Sequence, residues 1–185
     1  MTQCLRIVDF SNIDVKSPQE LVEEESNCKT RKPFRIQDAK KPQPGDQGLR
    51  IANCELTTLS GIVALVDAAI WYPERLCMLD LSCNKLTAVA ELASFSNLRI
   101  LYLQGNRIQD VRDLAPLSSL SLLTSLTIHG NPLVAQRNFR PWIVHNLPQI
   151  TRLDNIPVTA RERKDAEQLV RLGAVNLVRD SNLNV

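Results

Sequence analysis

The sequence predicts an α/β solenoid, with short parallel strands on a concave face, 3₁₀ or helical returns on the convex face, and a helical cap at the C-terminal end. Three observations predict it. A block of the form Leu-x-x-Leu-x-Leu-x-x-Asn-x-Leu/Ile occurs three times, at Leu76–Leu86, Leu98–Ile108 and Leu123–Leu133. Its asparagines, Asn84, Asn106 and Asn131, recur at nearly even intervals, with the period of a coil made of one strand and a short return. The last block is followed by an apolar stretch, Phe139, Trp142, Ile143, Val144 and Leu147, of the kind that closes the open end of such a stack. These features define a leucine-rich-repeat solenoid, an architecture that presents a curved surface to a partner rather than a catalytic cleft.

The chain divides into three parts. Residues 1–45 carry no repeat pattern. An acidic cluster (Glu23, Glu24, Glu25) precedes a basic one (Lys29, Arg31, Lys32, Arg35) and a Lys/Pro/Gly run to Gly45. Such a composition predicts an extended N-terminal arm that folds poorly alone. Short apolar islands (Leu5, Ile7, Val8 and Phe10; Leu21 and Val22; Phe34 and Ile36) would let it order along a partner or along the first coil. Residues 46–154 form the solenoid and its cap, and residues 155–185 a C-terminal helix and tail.

A degenerate coil opens the solenoid. Leu49, Ile51 and Leu56 fit the second half of the block, and Cys54 takes the asparagine place. The interval from Cys54 to Asn84 is longer than those between the asparagines and leaves room for a longer return. The apolar run from Ile62 to Trp71, bounded by Gly61 and Pro73, predicts a helix there. In the regular coils, leucines two apart, such as Leu79 and Leu81, point to one side of a strand. The following apolar positions (Leu86, Val89, Leu92; Ile108, Val111, Leu114) recur at every third position or so, as a 3₁₀ return requires. Cys54, Asn84, Asn106 and Asn131 are expected to form an internal ladder, because stacked turns supply the partners that a buried amide needs.

In the cap, Phe139 and Trp142 are expected to cover the core, followed by Leu147 and a last half coil at Ile150–Leu153–Asp154. Thr159-Ala-Arg-Glu162 is a capping box, and Ala166, Leu169, Val170 and Leu172 form one stripe ending at Gly173. That stripe is expected on the cap.

With the inward leucines fixed, the outward strand positions are the candidate partner-binding surface: Arg50, Met78, Asp80, Ile100, Tyr102, Gln104, Thr127, His129 and Arg152. Tyr102 is the best candidate for an energetic anchor, an aromatic beside Ile100 and Gln104. A net charge of +2 with 23% charged residues gives no basic stripe for nucleic acid. Five cysteines (Cys4, Cys28, Cys54, Cys77, Cys83) form no CxxC pair and no metal-like spacing with His129 or His145. Their odd number and the lack of a signal peptide or a membrane-length apolar run fit a reducing cytosolic setting without a membrane. No cofactor, metal or catalytic residue is expected.

The coils resemble the 22-residue class of leucine-rich repeats found in phosphatase regulators and axonemal dynein light chains. Phe139-Arg140, Leu147-Pro148, Leu153-Asp154 and Glu162-Arg163 resemble the cap motif of that class. Pro141 departs from it, and is accommodated if the helix starts near Asn138. Leu101–Gln109, Ser125–Pro132 and the leader Val8-Asp-Phe-Ser11 followed by Gln19–Glu24 are similar to the family of leucine-rich repeat-containing protein fifty-one. That resemblance implies a non-enzymatic component of motile cilia and flagella: a monomeric subunit held among other axonemal or microtubule-associated proteins. The alternative it leaves open is a regulatory or targeting subunit for a phosphatase or a dynein motor.

Overall fold

Among the described residues seven strands form one sheet in strict chain order, so each coil packs on its neighbours. They are β1 (Arg6–Asp9), β2 (Gln47–Arg50), β3 (Leu76–Asp80), β4 (Ile100–Tyr102), β5 (Ser125–Thr127), β6 (Arg152–Leu153) and β7 (Ile156–Pro157). Pairing is parallel from β1 through β6, and β7 turns back antiparallel on β6. The computed structural model describes residues 5–22 and 45–173. The acidic and basic clusters between Glu23 and Pro44, with Phe34 and Ile36, lie outside the described residues, as does the tail beyond Gly173. No helix among the described residues is long and apolar enough to cross a membrane.

The register explains the leucine spacing. One inward row runs Val8, Leu49, Leu79, Leu101, Leu126, Leu153 across six strands, and all six side chains are buried. A second buried row, Phe10, Ile51, Leu81, Leu103 and Ile128, follows it just past the strands. Neither row could be buried by one coil; stacking creates the core.

The returns vary in length and therefore in type. The longest of those described throughout holds α1 (Ile62–Ala69), which buries Ile62, Leu65, Val66 and Ala69 at helical spacing. The others are 3₁₀ segments at Ala90–Ser94, Val111–Ser119 and Pro132–Ala135. In the longest of these, Val111, Leu114 and Leu117 are buried at the threefold period of that helix. Asp110 caps it by accepting from Arg112 N at 2.9 Å. The Arg112 side chain pairs with the same carboxylate and holds its pKa down at about 2.

The asparagines join coil to coil. Asn106 donates to Leu81 O of the preceding coil and to Leu103 O of its own, both at 2.9 Å, and its Oδ1 accepts from Leu86 N at 3.0 Å. Asn131 repeats the arrangement on Leu103 O, Ile128 O and Ile108 N. Asn84 does so on Ile51 O and Leu81 O, and accepts from both Cys54 N and Leu56 N at 3.0 Å. Cys54 stands in the same place, its thiol directed at Phe10 O (3.1 Å) and Ala52 O (3.3 Å). Burial pushes that thiol's pKa up, which keeps it a neutral donor.

Residues 5–22 correct the expected boundary at 45. They are a coil of the solenoid, not an extended arm. β1 pairs with β2, and Val8, Phe10, Val15 and Leu21 are part of the core. A short 3₁₀ turn at Pro18–Leu21 lies against α1. Gly61 is required there: its φ is +83°, and an added Cβ would sit 3.0 Å from the Gln19 Cα. The physical reason for the correction is that β2 would otherwise have an unpaired edge and the inner row an open end at Leu49. Val8 and Phe10, two apart, satisfy both.

The cap is built from α2 (Phe139–Asn146), the β6–β7 hairpin and α3 (Ala160–Arg171). Asn138 caps α2 in the left-handed region, which places Pro141 in the first turn, where its missing N–H leaves no bond unmade. Trp142, Leu147 and Leu153 are buried, while Phe139 is only half-buried against the core. Arg140 pairs with Glu162, lowering the Glu162 pKa, and Arg163 Nη2 donates to Ile150 O at 2.6 Å. Thr159 accepts from Glu162 N at 3.2 Å. On α3, Ala166 is buried and Leu169 and Val170 are partly buried against the core. Leu172 lies beyond the helix and is exposed, so the stripe is one residue shorter than its pattern suggested.

Candidate partner-binding face

The face opposite the inner leucines carries three outward rows. The first is Ile7, Gly48, Met78, Ile100, Ser125, Arg152, and the second is Asp9, Arg50, Asp80, Tyr102, Thr127. The third, set by hydrogen bonds past the strand ends, is Ser11, Ala52, Ser82, Gln104, His129. The nine candidate residues thus share one face, but the sheet treats them differently.

On β1–β3 the face is closed by its own side chains. Arg50 Nε lies 3.2 Å from Asp80 Oδ2, and its Nη1 lies 3.4 Å from Asp9 Oδ2. Each carboxylate is further engaged by the serine two residues on. Ser11 N donates to Asp9 Oδ1 at 2.9 Å, while Ser82 N and Oγ donate to Asp80 Oδ1 at 3.0 and 2.6 Å. Burial raises the Asp9 pKa, but the Ser11 bonds and the Arg50 charge outweigh it and the net shift is downward. Met78 was expected on the open surface and is instead 4% exposed. Gly48 beside it leaves a hole, and an added Cβ there would lie 2.9 Å from Met78 Cε and 3.1 Å from Ile7 Cγ1. Methionine fills that gap, as its flexible thioether allows.

On β4–β6 the face is open. Ile100 and Tyr102 are half-buried, Arg152 is exposed, and the His129 side chain is 61% exposed. Thr127 is the exception at 2% exposed. It is a short side chain set between Tyr102 on the neighbouring strand and the turn after β6. Gln104 is half-buried, and its Oε1 is buried with no hydrogen-bond partner among the described residues. Asp154 closes the row. Its Oδ1 accepts from Ile128 N at 2.7 Å and His129 N at 2.9 Å, doing for the last coil what the asparagines do for the others.

Sequence reasoning missed Asp9 and Ile7, which complete the outward rows on β1. The signal was present: Asp9-Phe-Ser11 repeats Asp80-Leu-Ser82, and both serines bond back to the aspartate in the same way. Of the cysteines, Cys54 and Cys77 are buried and Cys83 is exposed, while Cys4 and Cys28 lie outside the described residues. Among the described residues no cluster of three or more His, Cys, Asp or Glu could hold a metal ion.

Known proteins share the repeat fold. A leucine-rich-repeat family model matches residues 62–179. Leucine-rich repeat-containing protein 51 of Mus musculus is 35% identical over 167 residues, which is 90% of this chain and 85% of the mouse protein. The Homo sapiens protein of the same name is 33% identical over 166 residues, or 89% and 85% of the two chains. Among solved structures, a chain of the Drosophila melanogaster SNF/U2A′ complex superposes with a TM-score of 0.53 at 22% identity. That match covers 67% of this chain and 68% of the other, and it shows the fold.

Proposed function

The chain belongs to the family of leucine-rich repeat-containing protein 51, and from that premise we propose that it is a non-enzymatic adaptor of the ciliary or flagellar axoneme. A leucine-rich-repeat scaffold for protein–protein contact is what the family and fold provide. The finer reading is that partners are held on the concave face and along the N-terminal leader. One observation carries it: Ile100 and Tyr102 stand half-buried on β4, and no ion-paired side chains like Arg50, Asp9 and Asp80 on β1–β3 lie at their positions among the described residues. An aromatic flanked by an aliphatic group and an amide is the usual chemistry of an interface centre. His129 follows β5 and His145 lies in α2, so the two do not form a catalytic pair. The axonemal setting is drawn from the family resemblance.

The test is to express the tagged chain in a ciliated cell and extract isolated cilia with detergent and high salt. The expected result is retention on the extracted axoneme by the wild type and release of Tyr102→Ala. A soluble signal without ciliary enrichment would overturn the axonemal reading and favour the regulatory-subunit alternative. Retention of Tyr102→Ala at wild-type level would overturn the concave-face assignment.

A further inference from the structure

The charge on the open half of the face is one-sided. The segments 98–104, 123–129 and 150–154 hold only Arg99, His129, Arg152 and Asp154 among arginine, lysine, histidine, aspartate and glutamate. Asp154 is turned inward, its Oδ1 engaged by Ile128 N and His129 N and lying 3.4 Å from His129 Nδ1. Arg99 reaches Asp46 at 3.7 Å. The guanidinium of Arg152 has no ion pair or hydrogen bond among the described residues and is exposed. Asp80, the nearest acid on the other half, is occupied by Arg50 and Ser82. No carboxylate is therefore left for a basic partner, while a cation stands free for an acidic one.

We propose that Ile100, Tyr102, Gln104 and Arg152 receive an acidic segment of a partner protein. The segment lays an apolar side chain on Ile100 and Tyr102, passes the side of half-buried Gln104, and places a carboxylate on Arg152. Arg152 lies two strands from Ile100 in the same row, about 10 Å across the sheet, a span that a few residues of one segment cover. This inference deepens the concave-face reading and rests on it.

The experiment is selection from a random displayed-peptide library with the full chain, followed by affinity measurement on the synthetic peptides that emerge. The expected consensus is an aliphatic or aromatic residue flanked by Asp or Glu. Its affinity should weaken as salt rises and fall about tenfold or more in Arg152→Glu. Arg152→Lys should keep most of the affinity, and Arg107→Glu, on the turn after Asn106, should keep all of it. Neutral or basic peptides that need Tyr102 would overturn the acidic partner and leave the concave-face reading standing. Failure to select any peptide sensitive to Tyr102→Ala would overturn both. A dimer of the full chain in solution, broken by Tyr102→Ala, would assign the face to a second copy and also overturn the inference.

Discussion

The two halves of the concave face share one backbone register and one leucine core, yet their surfaces differ in kind. On β1–β3 each polar group is matched within the chain: Arg50 between Asp9 and Asp80, each aspartate on its serine, Met78 over Gly48. On β4–β6 the corresponding positions hold Tyr102, Ile100, Gln104 and Arg152, and the available bonds are not made. The difference teaches that a solenoid can use the same positions as structure at one end and as surface at the other. The side-chain neighbours decide which, not the strand.

If the halves share a core, truncating it should cost the same in either. Leu49→Ala and Leu101→Ala remove fully buried side chains of one row, and each should lower stability in urea unfolding by about 2–5 kcal/mol. A negligible effect of Leu49→Ala would detach the N-terminal half from the cooperative unit. Next in size is the ladder. Asn106→Leu leaves Leu86 N unpaired and removes one of two asparagine donors from Leu81 O and Leu103 O, which keep Asn84 and Asn131, and about 1–3 kcal/mol should be lost in the same assay.

The sharper contrast is between two arginines on the same face. Arg50→Glu places three carboxylates in a row and should cost about 1 kcal/mol. Arg152→Glu, with no side-chain partner among the described residues, should stay within about 0.5 kcal/mol of wild type. Equal effects would erase the distinction between a closed and an open half.

The smallest effect is a pH dependence on the convex side. The Asp110 pKa, about 2 in the folded chain, lies below the ~3.9 of an unperturbed aspartate. Its contribution to stability is therefore present above about pH 4 and is lost as the pH falls toward 2. Asp110→Asn, which keeps the cap, should flatten the acid limb of a stability-versus-pH curve over that interval. An unchanged limb would mean that the Arg112 pair adds nothing.

Most of the scaffold was legible in the sequence, because a leucine facing inward and an asparagine at the turn recur at fixed spacing. The expected helix at Ile62 and the capping box at Thr159 both appear, in α1 and at the start of α3. The leader coil was only partly legible: its apolar islands were expected to order along a partner or the first coil, but not as a coil of the repeat. Its strand pairs across the whole stretch between Asp9 and Gln47 and carries Ile13 where the ladder residue would stand, so the repeat template passes over it. Met78 and Thr127 mark a second limit. Alternation along a strand tells which side a residue faces, while its exposure depends on what the adjacent coil places beside it. For Met78 that neighbour is Gly48, one coil upstream.

The hairpin at the C-terminal end has a further consequence. β7 runs against the direction of the six strands before it, and one of its two residues, Pro157, has no N–H to offer. A second molecule stacking end to end would need a parallel edge with free donors, and residue 157 denies it both. Continuation of the parallel sheet along the strand-stacking axis is therefore disfavoured at that end, which works against the solenoid templating a fibre.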